Sequence, residues 1–341
     1  MGHTMQRYIF IFLGLILVGA CDASRAATDA GPMVDGTNEP DSNGLCGSDN
    51  CEIQPVGHPL ATNSSSVNGS GFLYTKNVKA KGLVLMFHGK GGAKETVFEE
   101  RVESVLIAQA ALLRGYAVVA LDSVSHLGSD DSDEYKWNET KTIENPDIQN
   151  VIQMIAMLRG ELGAVPHDAP IFVIGFSNGG TMASHVCQHV EIAAAAIFIS
   201  NAKAFHSPLA KVPPLILMPS ENDPGFAAES ATKIKSLHPH VVVNITPARP
   251  ITPGIFSRIP GIGCEASTSI GNALQAAGIA DAKGNVLSDP VANLSWIDAI
   301  PDAYRAKATL RQLRDVILER YAGHSPSSES AVSVFDLFDS Y

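Results

Sequence analysis

A cluster of glycines around one serine constrains the fold of this 341-residue chain more than any other feature. The apolar run at 171–174 leads into Gly-Phe-Ser-Asn-Gly-Gly at 175–180, and a helical pattern follows at 181–190. A serine in a tight turn between a strand and a helix presents its hydroxyl at the top of a sheet. Glycines are needed beside it because side chains there would clash with the strand and the helix. We therefore predict that Ser177 is a nucleophile.

Apolar runs alternate with helical patterns through most of the chain. The clearest run is Leu83–Phe87, as expected of a parallel strand that is buried on both faces. Further strands are expected at 72–75, 117–121, 171–174, 193–199, 215–218 and 241–245, and helices at 95–114, 145–162, 181–190 and 227–237. This order predicts an α/β fold with a doubly wound, mostly parallel sheet, in which ligands bind beyond the carboxyl ends of the strands.

A serine nucleophile needs a general base, and the base needs a carboxylate that orients it. After a strand–serine–helix turn, these groups follow along the chain in the order acid, then histidine. Asp223 comes directly after a strand and is the expected acid, with Glu221 as the alternative. His324 lies in a loop of small residues before a C-terminal helical pattern and is the expected base. His238 and His240 are alternatives, although they precede the last strand.

A second glycine cluster, His-Gly-Lys-Gly-Gly, begins at His88 and closes an early strand. Such a turn can aim backbone N–H groups at negative charge that develops on a carbonyl oxygen. We expect the N–H groups of Lys90 and Asn178 to form an oxyanion hole, with Gly89 or Gly91 as alternatives to Lys90. His88 itself is expected to hold the backbone of the loop.

The interval between Asp223 and His324 is unusually long and predicts an insertion at 249–320. Helical patterns at 267–277 and 304–321 indicate that this insertion is structured. We expect it to overhang the site as a lid or wall. The alternative is a subdomain that packs on the edge of the sheet. The main domain is expected to span 57–341.

The first twenty residues have the pattern of an export signal, with an eleven-residue apolar run from Tyr8 to Val18. The run ends in Val-Gly-Ala-Cys, which resembles a bacterial lipobox with Cys21 as the lipidated residue. We therefore predict an exported protein that meets the membrane only through a lipid at Cys21 in the cell envelope. Plain secretion is the alternative.

Residues 21–56 are predicted to form a disordered acidic tether, because they are rich in polar residues and contain no aromatic residue. Seven acidic residues and one basic residue of this segment supply about half of the net charge of −11. No basic stripe indicates nucleic-acid binding. Cys46 and Cys51 are expected to form a small disulfide loop, whereas Cys187 and Cys264 either pair or remain buried.

The segment Gly-Phe-Ser-Asn-Gly-Gly-Thr-Met-Ala at 175–183 is similar to the nucleophile box of secreted esterases in the α/β-hydrolase superfamily, including polyhydroxybutyrate depolymerases and feruloyl esterases. The resemblance covers about residues 70–245 and the loop of His324. It implies a serine hydrolase without metal or cofactor, acting on small or polymeric carboxylic esters through Ser177, His324 and Asp223. A peptidase or amidase with the same triad, and a catalytically silent binding protein, are the alternatives.

Overall fold

The computed structural model describes residues 60–128, 135–225 and 227–341. These residues contain one sheet of eight strands. In chain order the strands are β1 (Asn63–Val67), β2 (Ser70–Tyr74), β3 (Leu83–Phe87), β4 (Ala117–Leu121), β5 (Ile171–Phe176), β6 (Ala194–Phe198), β7 (Leu215–Met218) and β8 (Val242–Val243).

The strands lie in the order β1-β2-β4-β3-β5-β6-β7-β8. The six strands from β3 to β8 run parallel to one another, and β2 pairs antiparallel with both β1 and β4. This topology confirms the predicted doubly wound, mostly parallel sheet. The edge strand β8 is shorter than the expected 241–245, but the ladder continues where Thr246 donates its N–H to the Pro219 carbonyl over 2.9 Å.

Helices cover both faces of the sheet, and others form the inserted segment. They are α1 (Val102–Leu113), α2 (Pro146–Arg159), α3 (Asn178–His189), α4 (Ala227–Leu237), α5 (Cys264–Ala276), α6 (Trp296–Ala299), α7 (Lys307–Arg320) and α8 (Ala331–Phe338). Leu85 of β3 belongs to the apolar cluster shared with α2 and α3, and its neighbours in β3 belong to the cluster shared with α1 and α8. This alternation follows from the two-residue repeat of a strand that is covered on both faces.

The single helix expected at 95–114 is wrong, because the structure divides this segment at Arg101. A π-helical turn, Thr96–Glu100, comes first and closes when Arg101 donates its N–H to the Thr96 carbonyl. Arg101 is extended, with φ −99° and ψ 112°, and α1 begins at the next residue. The wide turn buries Val97 and Phe98 in the apolar cluster on one face of the sheet.

The segment 249–320 contains α5, α6 and α7, so the two helices expected there are present. Its apolar side chains, including Phe256, Trp296 and Val316, form a third hydrophobic cluster. Val102, the first residue of α1, is part of the same cluster. The inserted segment therefore shares an apolar cluster with the start of α1.

Cys187 is buried and free, whereas Cys264 is disulfide-bonded, so these two cysteines do not pair with each other. The expected Cys46–Cys51 loop, the signal at 1–20 and the tether at 21–56 lie outside the described residues. No helix within the described ranges has the length and apolar character needed to cross a membrane.

Candidate active site

Ser177 lies in the turn between β5 and α3, with φ 52° and ψ −120°, which a non-glycine residue rarely adopts. Glycines on both sides make the turn possible. A Cβ atom on Gly175 would lie 2.5 Å from the Gly179 carbonyl oxygen, and one on Gly179 would lie 2.2 Å from the Phe87 carbonyl oxygen. The strand and helix therefore approach closely enough to hold the Ser177 backbone in this strained conformation.

The structure brings Ser177, His324 and Asp223 together in a chain of two hydrogen bonds. His324 Nε2 lies 2.7 Å from Ser177 Oγ, and His324 Nδ1 lies 3.0 Å from Asp223 Oδ2. An ionised carboxylate can only accept, so Nδ1 carries the ring proton and Nε2 is left to accept the serine proton. This arrangement has the geometry of a nucleophile, a base and an orienting acid.

Asp223 is held as a carboxylate. Burial alone would raise the pKa of Asp223, but hydrogen bonds from His324 and from the Gly225 N–H outweigh it and hold that pKa below its usual range. The alternative acid, Glu221, instead accepts the Ala248 N–H over 2.9 Å at an exposed position.

Backbone contacts fix the loop of His324 against the loop of Asp223. Asn222 donates its backbone N–H to the Ala322 carbonyl over 2.9 Å and its side-chain amide to the Tyr321 carbonyl over 2.6 Å. Ser220 donates its hydroxyl to the Ser325 carbonyl over 3.2 Å. The acid and the base are thereby kept at a fixed distance by bonds on both sides of His324.

A buried ion pair lies behind the same loop. Glu103 and Arg258 are 2.6 Å apart, and both side chains are almost completely buried. The second oxygen of Glu103 accepts the Ser328 N–H over 2.7 Å, four residues after His324. Burial alone would raise the pKa of Glu103, but the Arg258 charge and the Ser328 N–H hold it below its usual range.

The glycine cluster after β3 orients the Lys90 N–H. The Gly89 carbonyl accepts His88 Nδ1 over 2.8 Å and the Gly92 N–H over 3.1 Å. In a trans peptide the carbonyl and the following N–H point in opposite directions. The Lys90 N–H therefore points away from the Gly89 carbonyl, and Lys90 lines the same cavity as Ser177. The alternative donor Gly91 gives its N–H to the Tyr135 carbonyl over 2.7 Å.

Asn178, the second expected oxyanion donor, is the first residue of α3, where helical N–H groups have no partner within the helix. Its side-chain oxygen accepts the Trp137 N–H over 2.7 Å, which keeps the start of the helix in place. Gly89, the alternative to Lys90, lines the same cavity. Lys90, Asn178 and Ser177 line a second cavity in common.

The other histidines considered from the sequence, His88, His238 and His240, contact backbone carbonyls or another ring. Burial lowers the pKa of His88 to about 4, so its ring is neutral, and it binds the loop backbone as expected. His238 Nε2 lies 3.1 Å from the carbonyl oxygens of both Phe205 and Ser207. His240 stacks edge-on against His238. The hydrogen bond from Ser177 goes to His324.

Two cavities open beside Ser177. The smaller has a volume of about 120 Å³ and extends toward Arg101, Glu103 and Asp315. The larger has a volume of about 370 Å³ and is lined by polar side chains that include Lys136 and Glu139. No group of three or more His, Cys, Asp and Glu side chains that could hold a metal ion occurs in the described part of the chain.

Sequence reasoning missed the charged residues of the smaller cavity. Glu103 contacts Arg258 across 155 residues of chain and Ser328 across 225. Arg101 contacts Asp315 across 214 residues. No local pattern signals pairs at such separations. The only available sign was the unusual density of charges in the helical pattern at 304–321.

A sequence model of the alpha/beta hydrolase family matches residues 84–337. The match covers well over half of the chain, and the chain therefore belongs to this family of hydrolases. No curated protein matches the sequence.

Solved structures with a similar fold include a lidless α/β serine hydrolase from Xanthomonas campestris, at 13% identity and TM-score 0.42, covering 56% of this chain and 86% of that one. An α/β serine hydrolase homologue from Coxiella burnetii is 12% identical, with TM-score 0.43 and coverages of 55% and 88%. Est1E from Butyrivibrio proteoclasticus with bound ferulic acid is 14% identical, with TM-score 0.41 and coverages of 54% and 89%. At these identities the likeness concerns the fold alone.

Proposed function

We propose that this protein is a serine hydrolase that cleaves carboxylic esters through an acyl-enzyme. The observation that carries the proposal is the hydrogen-bonded chain from Asp223 through His324 to Ser177 Oγ. The strained turn supports it, because such strain is typical of positions where function requires an exposed nucleophile. Esters are proposed over amides because the box at 175–183 is similar to that of esterases.

In the proposed first step, Ser177 Oγ attacks the ester carbonyl while His324 Nε2 takes the hydroxyl proton. Asp223 accepts the Nδ1–H bond and stabilises the imidazolium that forms. The N–H groups of Lys90 and Asn178 would stabilise the oxyanion, and one such donor contributes about 3 kcal/mol. His324 then returns the proton to the leaving alcohol, and the acyl group stays on Ser177.

In the second step water takes the place of the alcohol. His324 Nε2 removes a proton from the water as the oxygen attacks the acyl carbon, and the same proton returns to Ser177 Oγ as the acid leaves. Each cycle consumes one ester and one water and releases one alcohol and one acid. Ser177, His324 and Asp223 therefore complete the proposed catalytic cycle with water as the second reactant.

The test compares 4-nitrophenyl butyrate with the matching 4-nitroanilide, using the purified full-length chain. We expect turnover of the ester and much slower turnover of the anilide. Asp223→Asn should lower kcat by about 10⁴-fold, because the histidine loses its orienting partner. The matched control Glu221→Gln, which lies two residues away and outside the triad, should keep normal turnover.

Three results would contradict the proposal. Faster turnover of the anilide would favour a peptidase or amidase. Equal loss in Glu221→Gln and Asp223→Asn would refute the assignment of the acid. No turnover of either substrate by a folded chain would favour a silent binding protein on the same scaffold.

We also propose that the protein is exported and anchored through a lipid at Cys21, on the support of the lipobox-like sequence. Growth of an expressing bacterium with labelled palmitate should label the wild-type chain and leave Cys21→Ser unlabelled. Label on the serine variant would contradict the anchor.

A further inference from the structure

The smaller cavity beside Ser177 has an ion pair in its wall. Arg101 Nη1 lies 2.6 Å from Asp315 Oδ1. The Arg101 side chain is 38% exposed, whereas the Asp315 side chain is only 4% exposed. Both residues line the cavity, and the cation is the more exposed member of the pair.

Two separate elements bring this pair to the cavity. Arg101 is the extended residue between the π-helical turn and α1. Asp315 comes from α7, in the inserted segment. Arg101, at the break between the π-helical turn and α1, lines the same cavity as Ser177.

Two cations and two anions line the cavity, and each anion has a guanidinium partner. Arg314 Nη2 lies 3.3 Å from the same Asp315 oxygen that Arg101 contacts, so two guanidinium groups share one carboxylate. The other carboxylate of the cavity, Glu103, is matched by Arg258. Lys90 adds a further cation to the lining. An anionic group that enters would thus meet two cationic side chains, beside carboxylates that already have partners.

The volume of the smaller cavity indicates which part of an ester it can hold. A volume of about 120 Å³ is smaller than the ~150 Å³ of a cavity that binds benzene, so only a short chain fits. The acyl group remains on Ser177 after the alcohol has left. The larger, more open cavity of about 370 Å³ gives the alcohol a way out, and the smaller one suits the acyl group.

Given the esterase activity proposed above, we infer that the smaller cavity binds a short acyl group ending in a carboxylate. Half-esters of small dicarboxylic acids have this chemistry. Arg101 is the specificity-determining residue, since a guanidinium matches a carboxylate with two parallel hydrogen bonds. A long apolar acyl chain is disfavoured because it would cover charged groups without hydrogen bonding to them.

The test measures kcat/KM of the full-length chain by pH-stat titration for two esters of equal shape. Monomethyl succinate carries the carboxylate, and methyl 4-methylpentanoate replaces its two oxygens with methyl groups. We expect the wild type to prefer the succinate ester at least tenfold, in line with a charged hydrogen bond. Monomethyl glutarate and adipate then show which chain length reaches Arg101.

Variants assign the preference to Arg101. Arg101→Met should lower the ratio of the two kcat/KM values at least tenfold. Arg101→Lys should give an intermediate ratio, because lysine keeps the positive charge but lacks the planar guanidinium group. Arg311→Met is the matched control, since Arg311 pairs with Glu100 outside the cavity at 3.7 Å. It should keep the wild-type ratio.

Two outcomes separate this inference from the function on which it rests. Efficient turnover of the neutral ester without preference for the succinate ester would overturn the carboxylate subsite alone. No turnover of any ester would overturn the proposed esterase activity and the subsite together. The wild-type ratio decides the matter even if an Arg101 variant does not fold.

Discussion

The nucleophile turn and the histidine loop contribute to one site but are stabilised in different ways. The nucleophile turn, residues 175–180, is fixed by close packing, because glycines let α3 approach β3 and β5. The histidine loop, residues 321–328, is fixed by polar bonds to distant parts of the chain, including Asn222 and Glu103. A local sequence pattern can therefore predict the first region well and the second only by its position in the chain.

Among the changes that compare how these two regions are held, the packing of the nucleophile turn should give the largest effect. Gly179→Ala would place a Cβ atom 2.2 Å from the Phe87 carbonyl oxygen, which belongs to the backbone and cannot rotate away. We expect either failure to fold or a loss of turnover of at least about 100-fold, the scale of a 1 Å displacement at a reacting group.

Turnover of 4-nitrophenyl butyrate and the thermal midpoint measure this effect. Gly263→Ala is the control, because a Cβ atom there meets no atom within 4 Å. Normal turnover in Gly179→Ala would show that close packing does not hold the nucleophile turn.

The next effect concerns the polar support of the histidine loop. Glu103→Gln leaves the Arg258 charge buried without its partner, and such a loss costs about 4 kcal/mol of unfolding free energy. We also expect roughly tenfold slower turnover, because Ser328 loses a charged acceptor close to His324. Urea unfolding and ester turnover measure the two effects.

Glu100→Gln is the control for this change. Glu100 pairs with Arg311 at the surface, and exposed pairs contribute at most about 1 kcal/mol. Equal losses of stability in the two variants would mean that the buried pair has no special role in supporting the loop.

A smaller effect concerns the helix that follows the nucleophile turn. Burial lowers the pKa of His185, in α3, to about 4 from an ordinary value of 6.5. The unfolded chain therefore binds the proton first as the pH falls, and stability declines between pH 6.5 and 4. The loss from this residue is at most about 3 kcal/mol.

The measurement is the urea midpoint of wild type and His185→Gln at several pH values. The variant cannot take up this proton, so its stability should fall less steeply below pH 6.5. Parallel curves for the two proteins would contradict a buried neutral His185.

Much of the fold follows from local patterns in the sequence. The unbroken apolar run at 83–87 predicted strand β3, because burial on both faces leaves a local signal in the sequence. The spacing of glycines around Ser177 is also a local signal, and it predicted the turn between β5 and α3. β1 was missed, since Asn63–Val67 is polar, although Asn68-Gly69 with φ 48° and 87° is a hairpin turn that could have revealed it.

The site was less predictable where it depends on tertiary contacts. His324 was found from chain order and loop composition, and the structure places it against Ser177 and Asp223. The wall of the smaller cavity was not found, because Arg101 and Asp315 meet only when the inserted segment packs on α1. The expected continuous helix at 95–114 concealed the break at Arg101.

Covalent labelling of the nucleophile shows whether His324 activates Ser177. The full-length wild type, Ser177→Ala and His324→Ala are treated with a fluorophosphonate and examined by intact mass, with His238→Ala as the control. We expect one label on the wild type and on His238→Ala, and none on the other two variants. Label on His324→Ala at the wild-type rate would show that His324 does not activate Ser177.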